Sequence, residues 1–411
     1  MDITGIIAEF NPFHNGHAYL LQKIKEKHPH TYLLAVMSGS FTQRGDAAIL
    51  DKWSRARTAV SAGCDLVLEL PLVFATSSAQ GFAQGGISLL QQLSIVTRVA
   101  FGTEFTDIDQ LKTAAALADT QSFQNSLHQK IQDGLSYAKA FSSTMSQYAN
   151  LPEAVLRQPN TILALEYLHA IHLSNANLQI MGIQRHQASH HDSCLQGRIS
   201  SASAIRQELL SPFTNWKKIE DAVPPSTFHT LKSDPHFPNT DTLYPALLCK
   251  LCTMSQAELQ SIAGINEGIE NRLRSAGKEA SLGEFVLAAS GKRYPQSRIR
   301  RIVLSVLLNL TKDISSSLLQ AAPLYARILA FNERGREILH ELRKQSSIPV
   351  ITKTAQYIKN ADCHASLKEL SPLKQMLRLD CIGTDLQEIC RYRPSATGKD
   401  FLTSPIYLQS K

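Results

Sequence analysis

Short apolar runs alternate with amphipathic segments along the first half of the chain. Each run is nearly all apolar, as in strands that are covered on both faces. The runs lie at residues 5–8, 31–38, 64–70, 98–101 and 178–183. Between them, apolar positions recur with helical spacing, for example over residues 52–62, where Asp51 could cap the helix, and over residues 77–93. Strands that alternate with helices in this way predict a doubly wound parallel sheet.

The second half of the chain has a different pattern. Prolines mark an irregular connection after about residue 211, and helical periodicity then dominates. The segments predicted as helices include residues 243–252, 257–262, 269–275, 297–309, 325–331 and 334–344. Two short apolar pieces, at residues 350–351 and 402–408, are too brief to assign. The predicted fold class is α/β, with a Rossmann-like parallel-sheet domain over residues 1–210 and a mainly α-helical domain over residues 211–411.

The composition is that of an ordinary soluble globular protein. Of 411 residues, 43% are hydrophobic and 19% are charged, and no apolar run reaches the roughly 20 residues that span a bilayer. The first residues lack the basic segment and cleavage site of a signal peptide. Seven scattered cysteines, an odd number, do not indicate a disulfide framework. We therefore expect a cytoplasmic protein with reduced thiols and no membrane partner.

The excess of positive over negative charge lies entirely in the second half of the chain. The net charge is +7, and residues 211–411 carry 27 Lys and Arg against 19 Asp and Glu. Residues 1–210 carry 15 basic and 16 acidic side chains. This asymmetry indicates a polyanionic partner for the second half, although a merely basic surface would give the same count.

The most informative stretch joins the first predicted strand to the first predicted helix. Two histidines, His14 and His17, stand at the mouth of that helix, three residues apart and therefore able to face the same side. A helix N-terminus favours phosphate, and Gly16 lets a ligand approach the backbone. Imidazoles there can donate hydrogen bonds to phosphate and stabilise a leaving pyrophosphate. The pattern His-x-Gly-His resembles the nucleotidyltransferase superfamily signature, whereas a capping role or a zinc site is the alternative interpretation.

Further candidates stand at the ends of other predicted elements. Asn11 can donate a hydrogen bond to a phosphate or substrate oxygen, and Arg185 and Arg206 can each donate two hydrogen bonds to a phosphate group. Ser201 and Ser203 would add hydroxyl and N–H groups for a γ-phosphate. Each of these side chains could instead serve as a helix cap or a surface ion pair. Asn160 could likewise be a helix N-cap, because it directly precedes an apolar run with helical periodicity.

Five motifs occur in one order along the chain: AEFNPFHNGH, MSGSFTQRGD, FGTE, RQPNTILALEYL and RISSASAIR. Together they resemble the bacterial tRNA(Met) cytidine acetate ligase family, and the similarity covers nearly the whole chain. The last motif is similar to the nucleotidyltransferase signature Ile-Ser-Ser-Thr-x-Ile-Arg aligned on Arg206. It departs from that signature at Ser200 and Ala202, and Ser203 replaces the threonine but keeps its hydroxyl.

The resemblance implies a two-step reaction with ATP, accompanied by Mg²⁺, and acetate. Acetyl-adenylate forms first, and the acetyl group then passes to N4 of the wobble cytidine of elongator tRNA(Met), giving N4-acetylcytidine. Asp46 is a candidate for binding Mg²⁺ or for orienting the attacking amine, and no protein metal site is assigned. The implied ATP-binding residues are Ile7, Ala8, Glu9, Phe10, Asn11, Pro12, Phe13, His14, Asn15, Gly16, His17, Ala18, Tyr19, Leu20, Gly102, Asn160, Arg185, Ser203 and Arg206.

The densest basic cluster is the expected tRNA contact. Its cationic side chains would meet phosphates, and its tyrosine could stack on a base. The cluster consists of Lys292, Arg293, Tyr294, Arg298, Arg300 and Arg301. An amphipathic helix with a basic polar face is the alternative. The pair Cys249 and Cys252 is interpreted as two core thiols rather than zinc ligands, since no second pair follows.

Two other functions remain open from the sequence. A small-molecule adenylyltransferase would explain the first half of the chain but would leave the basic second half without a role. A non-catalytic RNA-binding protein with a relic nucleotide fold would release no pyrophosphate.

Overall fold

The computed structural model describes residues 1–185, 200–266, 268–391 and 397–409. Its centre is one sheet with the strand order β5-β4-β1-β2-β3-β6-β7, and β8 pairs with β6. The strands are β1 (Ile3–Ala8), β2 (Tyr32–Ser38), β3 (Leu66–Leu70), β4 (Arg98–Thr103), β5 (Gln179–Gln184), β6 (Ala326–Phe331), β7 (Val350–Ile351) and β8 (Ile406–Tyr407).

The first five strands form the parallel sheet that the sequence predicts. Strand β1 lies between β2 and β4 and is parallel to both, while β3 and β5 extend the sheet on either side. Strands β2 and β3 are buried along almost their whole length, as expected of strands covered by helices on both faces. The carboxyl ends of these strands therefore meet at one edge, where open α/β sheets bind their ligands.

Within the described residues up to 210, ten helices accompany this part of the sheet. The first begins at Asn15, and Asp51 caps the second through a hydrogen bond from the Ser54 N–H group, as predicted. The helices are α1 (Asn15–Lys27), α2 (Lys52–Ser61), α3 (Leu72–Ala75), α4 (Ala79–Gln92), α5 (Ile108–Leu117), α6 (Gln121–Gln132), α7 (Tyr137–Ala149), α8 (Glu153–Leu156), α9 (Pro159–Leu173) and α10 (Ala202–Leu209). The polar residues 187–197, which the sequence predicts to form a loop, lie outside the described residues.

The remainder of the described chain is mostly helical, as predicted. No described helix is both long and apolar enough to cross a bilayer. Short 3-10 helices occur at Thr240–Leu243, Thr354–Gln356 and Leu367–Glu369. The α-helices are α11 (Trp216–Ala222), α12 (Pro225–Ser233), α13 (Tyr244–Thr253), α14 (Gln256–Ser261), α15 (Ile269–Ala276), α16 (Leu282–Ala289), α17 (Gln296–Leu308), α18 (Lys312–Gln320), α19 (Glu333–Gln345), α20 (Asn360–His364), α21 (Pro372–Ile389) and α22 (Lys399–Leu402).

One predicted helix in this half is wrong. The segment predicted as a helix over residues 325–331 contains strand β6, which runs antiparallel to β3 and extends the sheet beyond it. The run is short and almost entirely buried, and periodicity cannot distinguish a buried strand from a buried helix over so few residues. The two unassigned apolar pieces supply β7 and β8, which both pair with β6. The sheet is therefore not confined to residues 1–210.

The hydrophobic cores show the same division of the chain. Five described helices of the second half, α13 to α17, pack around a core of their own that includes Phe285 and Ile299. Strand β6 and helix α21 instead contribute to the large core on one face of the sheet. The second half is thus partly a separate helical unit and partly an extension of the sheet.

Candidate functional site

A deep cleft opens at the carboxyl ends of the parallel strands. It encloses about 630 Å³ and is lined by the ends of β1, β4 and β5 and by the first turns of α1, α9 and α10. A volume of several hundred cubic ångströms is that of a small-molecule or cofactor site. Most of the predicted ATP-binding residues line it. Four do not: Pro12, Phe13, Asn15 and Ala18.

The two signature histidines stand at the floor of this cleft as a reciprocal cap of α1. His14 Nδ1 accepts a hydrogen bond from the Gly16 N–H group at 3.0 Å, and His17 Nδ1 accepts one from the His14 N–H group at 3.2 Å. The imidazole rings stack with their centroids 3.8 Å apart, and Phe10 and Phe13 pack against the ring of His17. The capping role that the sequence left open is therefore present, and it fixes both rings in place.

This cap also determines the protonation of the two rings. Burial, together with the positive charges of Arg185 and Arg206, lowers the pKa of His14 to about 3. Burial, with the neighbouring His14 and Arg185, holds the pKa of His17 well below its usual range. Both rings are therefore neutral, and because each Nδ1 is an acceptor, the remaining proton of each ring sits on Nε2. The cleft thus receives two fixed, uncharged N–H donors.

Arg206 connects the second signature to the first. Its Nη1 donates to the Asn11 carbonyl oxygen at 2.8 Å, and its Nη2 donates to Ser203 Oγ at 3.3 Å. Burial lowers the pKa of Arg206 from its very high ordinary value. Ser201 Oγ caps α10 by accepting from the Ala204 N–H group, so its role in the structure is that of a cap. These contacts place Arg206 and Ser203 beside the histidines, as the sequence predicts.

Asn160 is not the N-cap that its position in the sequence suggests. The capping position of α9 belongs to Gln158, and the Asn160 side chain points to Glu104 and to Arg185 instead. Arg185 Nη1 donates to Asn160 Oδ1 at 3.0 Å, while Asn160 Nδ2 donates to Glu104 Oε1. A side chain at Gly102 would lie only 3.1 Å from Arg185 Cγ, so this glycine leaves room for the arginine.

Glu104 is a residue whose role the sequence analysis missed. Its two carboxylate oxygens accept from Asn160 Nδ2 and from Thr161 Oγ1, the latter at 3.1 Å. The carboxylate therefore orients the amide that in turn orients Arg185. The sequence does place Glu104 in the turn after a predicted strand. A single acidic residue in a turn, however, does not show which side chain its carboxylate will bind.

A second missed residue is Arg55, which is fully buried beneath the cleft. Its Nη1 donates to the carbonyl oxygens of Glu9, at 2.7 Å, and of Ser38, at 3.0 Å. Burial lowers its pKa to about 10, yet the guanidinium stays charged at neutral pH. Glu9 Oε1 also accepts from the Gln43 N–H group at 2.8 Å. Arg55 and Glu9 thus tie the loop after β1 to the loop after β2.

Asp46 lies in the loop after β2 and faces an arginine of the helical half. Its Oδ1 is 3.2 Å from Nε of Arg300, and the pair is about one-third exposed. An adjacent guanidinium disfavours a cation at the same carboxylate. Among the described residues, no three His, Cys, Asp or Glu side chains converge as a metal site. The donor set therefore does not fit a resident Mg²⁺ ion held by Asp46.

The predicted basic cluster is divided between two locations. Lys292 and Arg293 are exposed, whereas Arg301 Nη1 donates to the Gln43 carbonyl oxygen at 3.1 Å, and burial lowers its pKa to about 10. With the Arg300–Asp46 pair, this contact attaches α17 to the loop after β2.

Tyr294 is not available to stack on a base, contrary to expectation. Its side chain is only 5% exposed and belongs to the core of the helical unit. Its hydroxyl donates to the Asn266 carbonyl oxygen, and the Arg298 guanidinium lies 4.0 Å from its ring centroid. The interpretation of Cys249 and Cys252 as core thiols is also wrong, because both are exposed on α13.

Comparisons with known proteins show similarity along the whole chain. The family described as HIGH Nucleotidyl Transferase matches residues 1–400. A tRNA(Met) cytidine acetate ligase from Alkaliphilus metalliredigens is 38% identical, and the match covers 99% of each sequence. The protein of the same name from Syntrophomonas wolfei is 36% identical, again over 99% of each.

Solved structures agree with the sequence comparison. The crystal structure of apo Thermotoga maritima TmcAL has a TM-score of 0.89 at 32% identity, with 100% of both chains covered. A second crystal structure of that protein, bound with alpha-thio ATP, has a TM-score of 0.88 at 31% identity over the same extent. Sequence and fold therefore point to the same group of proteins.

Proposed function

This chain belongs to the HIGH nucleotidyl transferase family and, within it, to the tRNA(Met) cytidine acetate ligases, and we propose that it links acetate to tRNA by means of ATP. One observation carries the assignment of the site: the cleft presents the neutral imidazoles of His14 and His17 beside the guanidinium groups of Arg185 and Arg206. This donor set suits a triphosphate. Such an enzyme would act in the cytoplasm, where tRNA is available.

The proposed first step forms acetyl-adenylate. A carboxylate oxygen of acetate attacks the α-phosphorus of ATP, the bond to the bridging oxygen of the β-phosphate breaks, and pyrophosphate leaves. Charge develops on that bridging oxygen, so donors fixed beforehand stabilise the transition state more than the ground state. The Nε2–H groups of His14 and His17 would supply such donors, and Arg206 would hold the phosphates of the leaving group. Mg²⁺ would accompany ATP as a counter-ion of its phosphates.

The proposed second step transfers the acetyl group. The N4 amine of the wobble cytidine attacks the carbonyl carbon of acetyl-adenylate, and the bond to the phosphate oxygen breaks. AMP leaves, N4 loses a proton, and the product is N4-acetylcytidine. Asp46 lines the cleft and would accept a hydrogen bond from the attacking amine, a role that is compatible with its pairing with Arg300, whereas metal binding is not.

The proposed site for tRNA is the basic face of the helical half. Lys292 and Arg293 are exposed there, and the adjacent Arg298 is half-buried. Phosphate contacts of this kind position the nucleic acid rather than read its sequence. The attachment of α17 to the loop of Asp46 would then bring the bound tRNA next to the cleft.

The assay that tests this function has two parts: labelled pyrophosphate with ATP and acetate in the absence of tRNA, and radiolabelled acetate with ATP in the presence of tRNA. The proposal predicts acetate-dependent exchange of pyrophosphate into ATP without tRNA, and label on tRNA when tRNA is present. Exchange that depends on a phosphorylated metabolite instead of acetate would indicate a small-molecule adenylyltransferase. No exchange under any condition would indicate a non-catalytic RNA-binding protein.

A further inference from the structure

A second cavity lies directly beside the cleft, between the loop after β2 and the helical half. It encloses about 240 Å³ and is bounded by that loop, the 3-10 helix Thr240–Leu243, α16 and α17. Asp46 lines both the cleft and this cavity, and the two sets of lining residues have no other member in common. The two spaces therefore meet at one carboxylate.

Most residues that line the second cavity are apolar or glycine, and Thr240 and Asp241 add polar groups to its wall. Phe41, Leu243, Val286, Val303 and Leu304 line it, and each is at most 5% exposed. Pockets for drug-sized molecules begin at roughly 300 Å³, so this smaller space suits a single heterocycle rather than a whole nucleotide. An apolar slot also suits a flat ring better than it suits acetate, which is small and charged.

Polar groups stand where the second cavity meets the cleft. Asp46 and Arg300 both line the cavity and form an ion pair, with Nε and Oδ1 3.2 Å apart. Cytosine carries a donor at N4 next to acceptors at N3 and O2. A carboxylate accepts from N4, while an arginine has donors only, so this pair complements that edge.

We propose that the second cavity is the pocket for the target base, a cytosine turned out of the anticodon loop. The base lies between Phe41 and the side chains of α17, with its N4 amine at Asp46, facing the cleft in which the acetyl-adenylate forms. Enzymes that modify a base read its pairing edge in a snug apolar pocket of this kind. The inference rests on the proposed function, and it adds the location and the recognition of the base.

The geometry also explains the contacts that hold α17 to the loop after β2. A side chain at Gly45 would lie 2.8 Å from the Arg301 backbone nitrogen, so the loop and the helix touch through this glycine. Arg301 donates to the Gln43 carbonyl oxygen beside it. These contacts fix the two walls of the pocket relative to each other, which a reaction between two bound substrates requires.

Gly283 provides a way to fill the pocket without disturbing its walls. It lines the cavity on α16, and a Cβ atom added there would have only Ser281 Oγ, at 3.8 Å, as a close neighbour outside the helix backbone. We expect Gly283→Phe to lower acetyl transfer to tRNA by roughly 10²-fold, the cost of a displaced reacting atom. Acetate-dependent pyrophosphate exchange and tRNA affinity should stay within about threefold of wild type, because phosphates dominate that affinity. Leu287→Phe, on the same helix at a side chain that is 62% exposed, is the matched control.

The outcomes separate this inference from the proposed function. Wild-type transfer by Gly283→Phe, or a folded Gly283→Phe that has lost exchange, would overturn the base pocket while leaving the ligase activity of the wild-type chain in place. A second experiment uses the wild-type protein, so it does not depend on the folding of a variant. An anticodon stem-loop with 5-iodocytidine at the wobble position should crosslink under ultraviolet light to residues 41–46, 282–286 or 300–307. Crosslinks elsewhere would overturn the proposal.

Discussion

Nζ of Lys52 lies 2.7 Å from Oδ1 of Asp400 in an ion pair that is closed to solvent. Lys52 begins the helix after the loop of Asp46, whereas Asp400 lies close to the C-terminal end of the chain. Glu69 and Arg327 complete the group, because Lys52 Nζ also contacts Glu69 Oε1 at 2.8 Å and Arg327 contacts both carboxylates. This buried charge cluster therefore joins four distant segments beneath the cleft.

Removing one charge from the buried charge cluster should unfold the protein more easily. Lys52→Met leaves two carboxylates facing a single arginine, and breaking a buried pair in this way typically costs roughly 3–5 kcal/mol. Equilibrium unfolding in urea measures the difference. Lys23→Met is the control, since the Lys23–Glu26 pair is exposed and should change the free energy of unfolding by less than about 1 kcal/mol. Equal effects of the two substitutions would contradict the role assigned to the cluster.

The neutral state of His14 should make stability depend on pH. The unfolded histidine binds a proton below about pH 6.5, whereas burial keeps the folded one neutral down to about pH 3. The free energy of unfolding should therefore fall as pH drops from 6.5 to 4, by up to about 1.4 kcal/mol per pH unit for this one group. His14→Asn retains a residue that is favoured as a cap but does not titrate, so its slope should be shallower. Parallel slopes from urea unfolding at pH 6 and pH 4 would refute the assignment.

Glu104 should act on catalysis through Asn160 and Arg185 rather than by touching ATP. Glu104→Ala removes the acceptor that orients Asn160, and lost hydrogen bonds to a charged group cost about 1.5–3 kcal/mol. We expect kcat/KM for ATP in pyrophosphate exchange to fall roughly 10–100-fold, mostly through KM. Glu104→Gln keeps an acceptor for the amide and should restore most of that loss. A glutamine variant as impaired as the alanine variant would show that the carboxylate has another role.

Reversing the charges of Lys292, Arg293 and Arg298 should weaken tRNA binding and leave acetate-dependent exchange unchanged. Each lost phosphate contact should reduce the slope of log K against log salt by about one. Filter binding at several salt concentrations measures both quantities. The same change at Arg336 and Lys344, whose side chains are more than half exposed on α19, is the control. If both sets weaken binding equally, the effect is one of net charge and not of a specific surface.

The sequence predicted those features that depend on residues close together in the chain. The apolar run before His14 and the spacing of His14 and His17 are sufficient to predict a strand, a loop and a helix with two imidazoles at its mouth. The cap at Asp51 was predicted for the same reason. By contrast, β6 acquires its conformation from pairing with β3, more than 250 residues away in the chain, and its five apolar residues and one arginine carry no sign of that partner.

Side-chain roles were harder to predict than elements. Asn160 has the sequence position of a helix cap, yet its side-chain amide donates a hydrogen bond to Glu104 instead. The sequence could not predict this contact, because it does not show which turn packs against which helix. Tyr294 lies within a basic stretch, but it stands in the bend before α17 with its side chain buried in the core of the helical unit. Arg300 and Arg301 belong to the same stretch and bind the loop after β2. Clustering in sequence could not reveal this division, because it depends on how α17 packs.

The account depends most on the claim that the imidazoles at the start of α1 hold the phosphates of ATP, and His17→Ala tests it most directly. The measurement is the rate of acetate-dependent pyrophosphate exchange, with His30→Ala, an exposed histidine beyond the other end of α1, as the control. Losing a donor aimed at developing charge should slow exchange by roughly 10²–10³ while the control stays at the wild-type rate. Exchange at the wild-type rate by a folded His17→Ala protein would contradict the account.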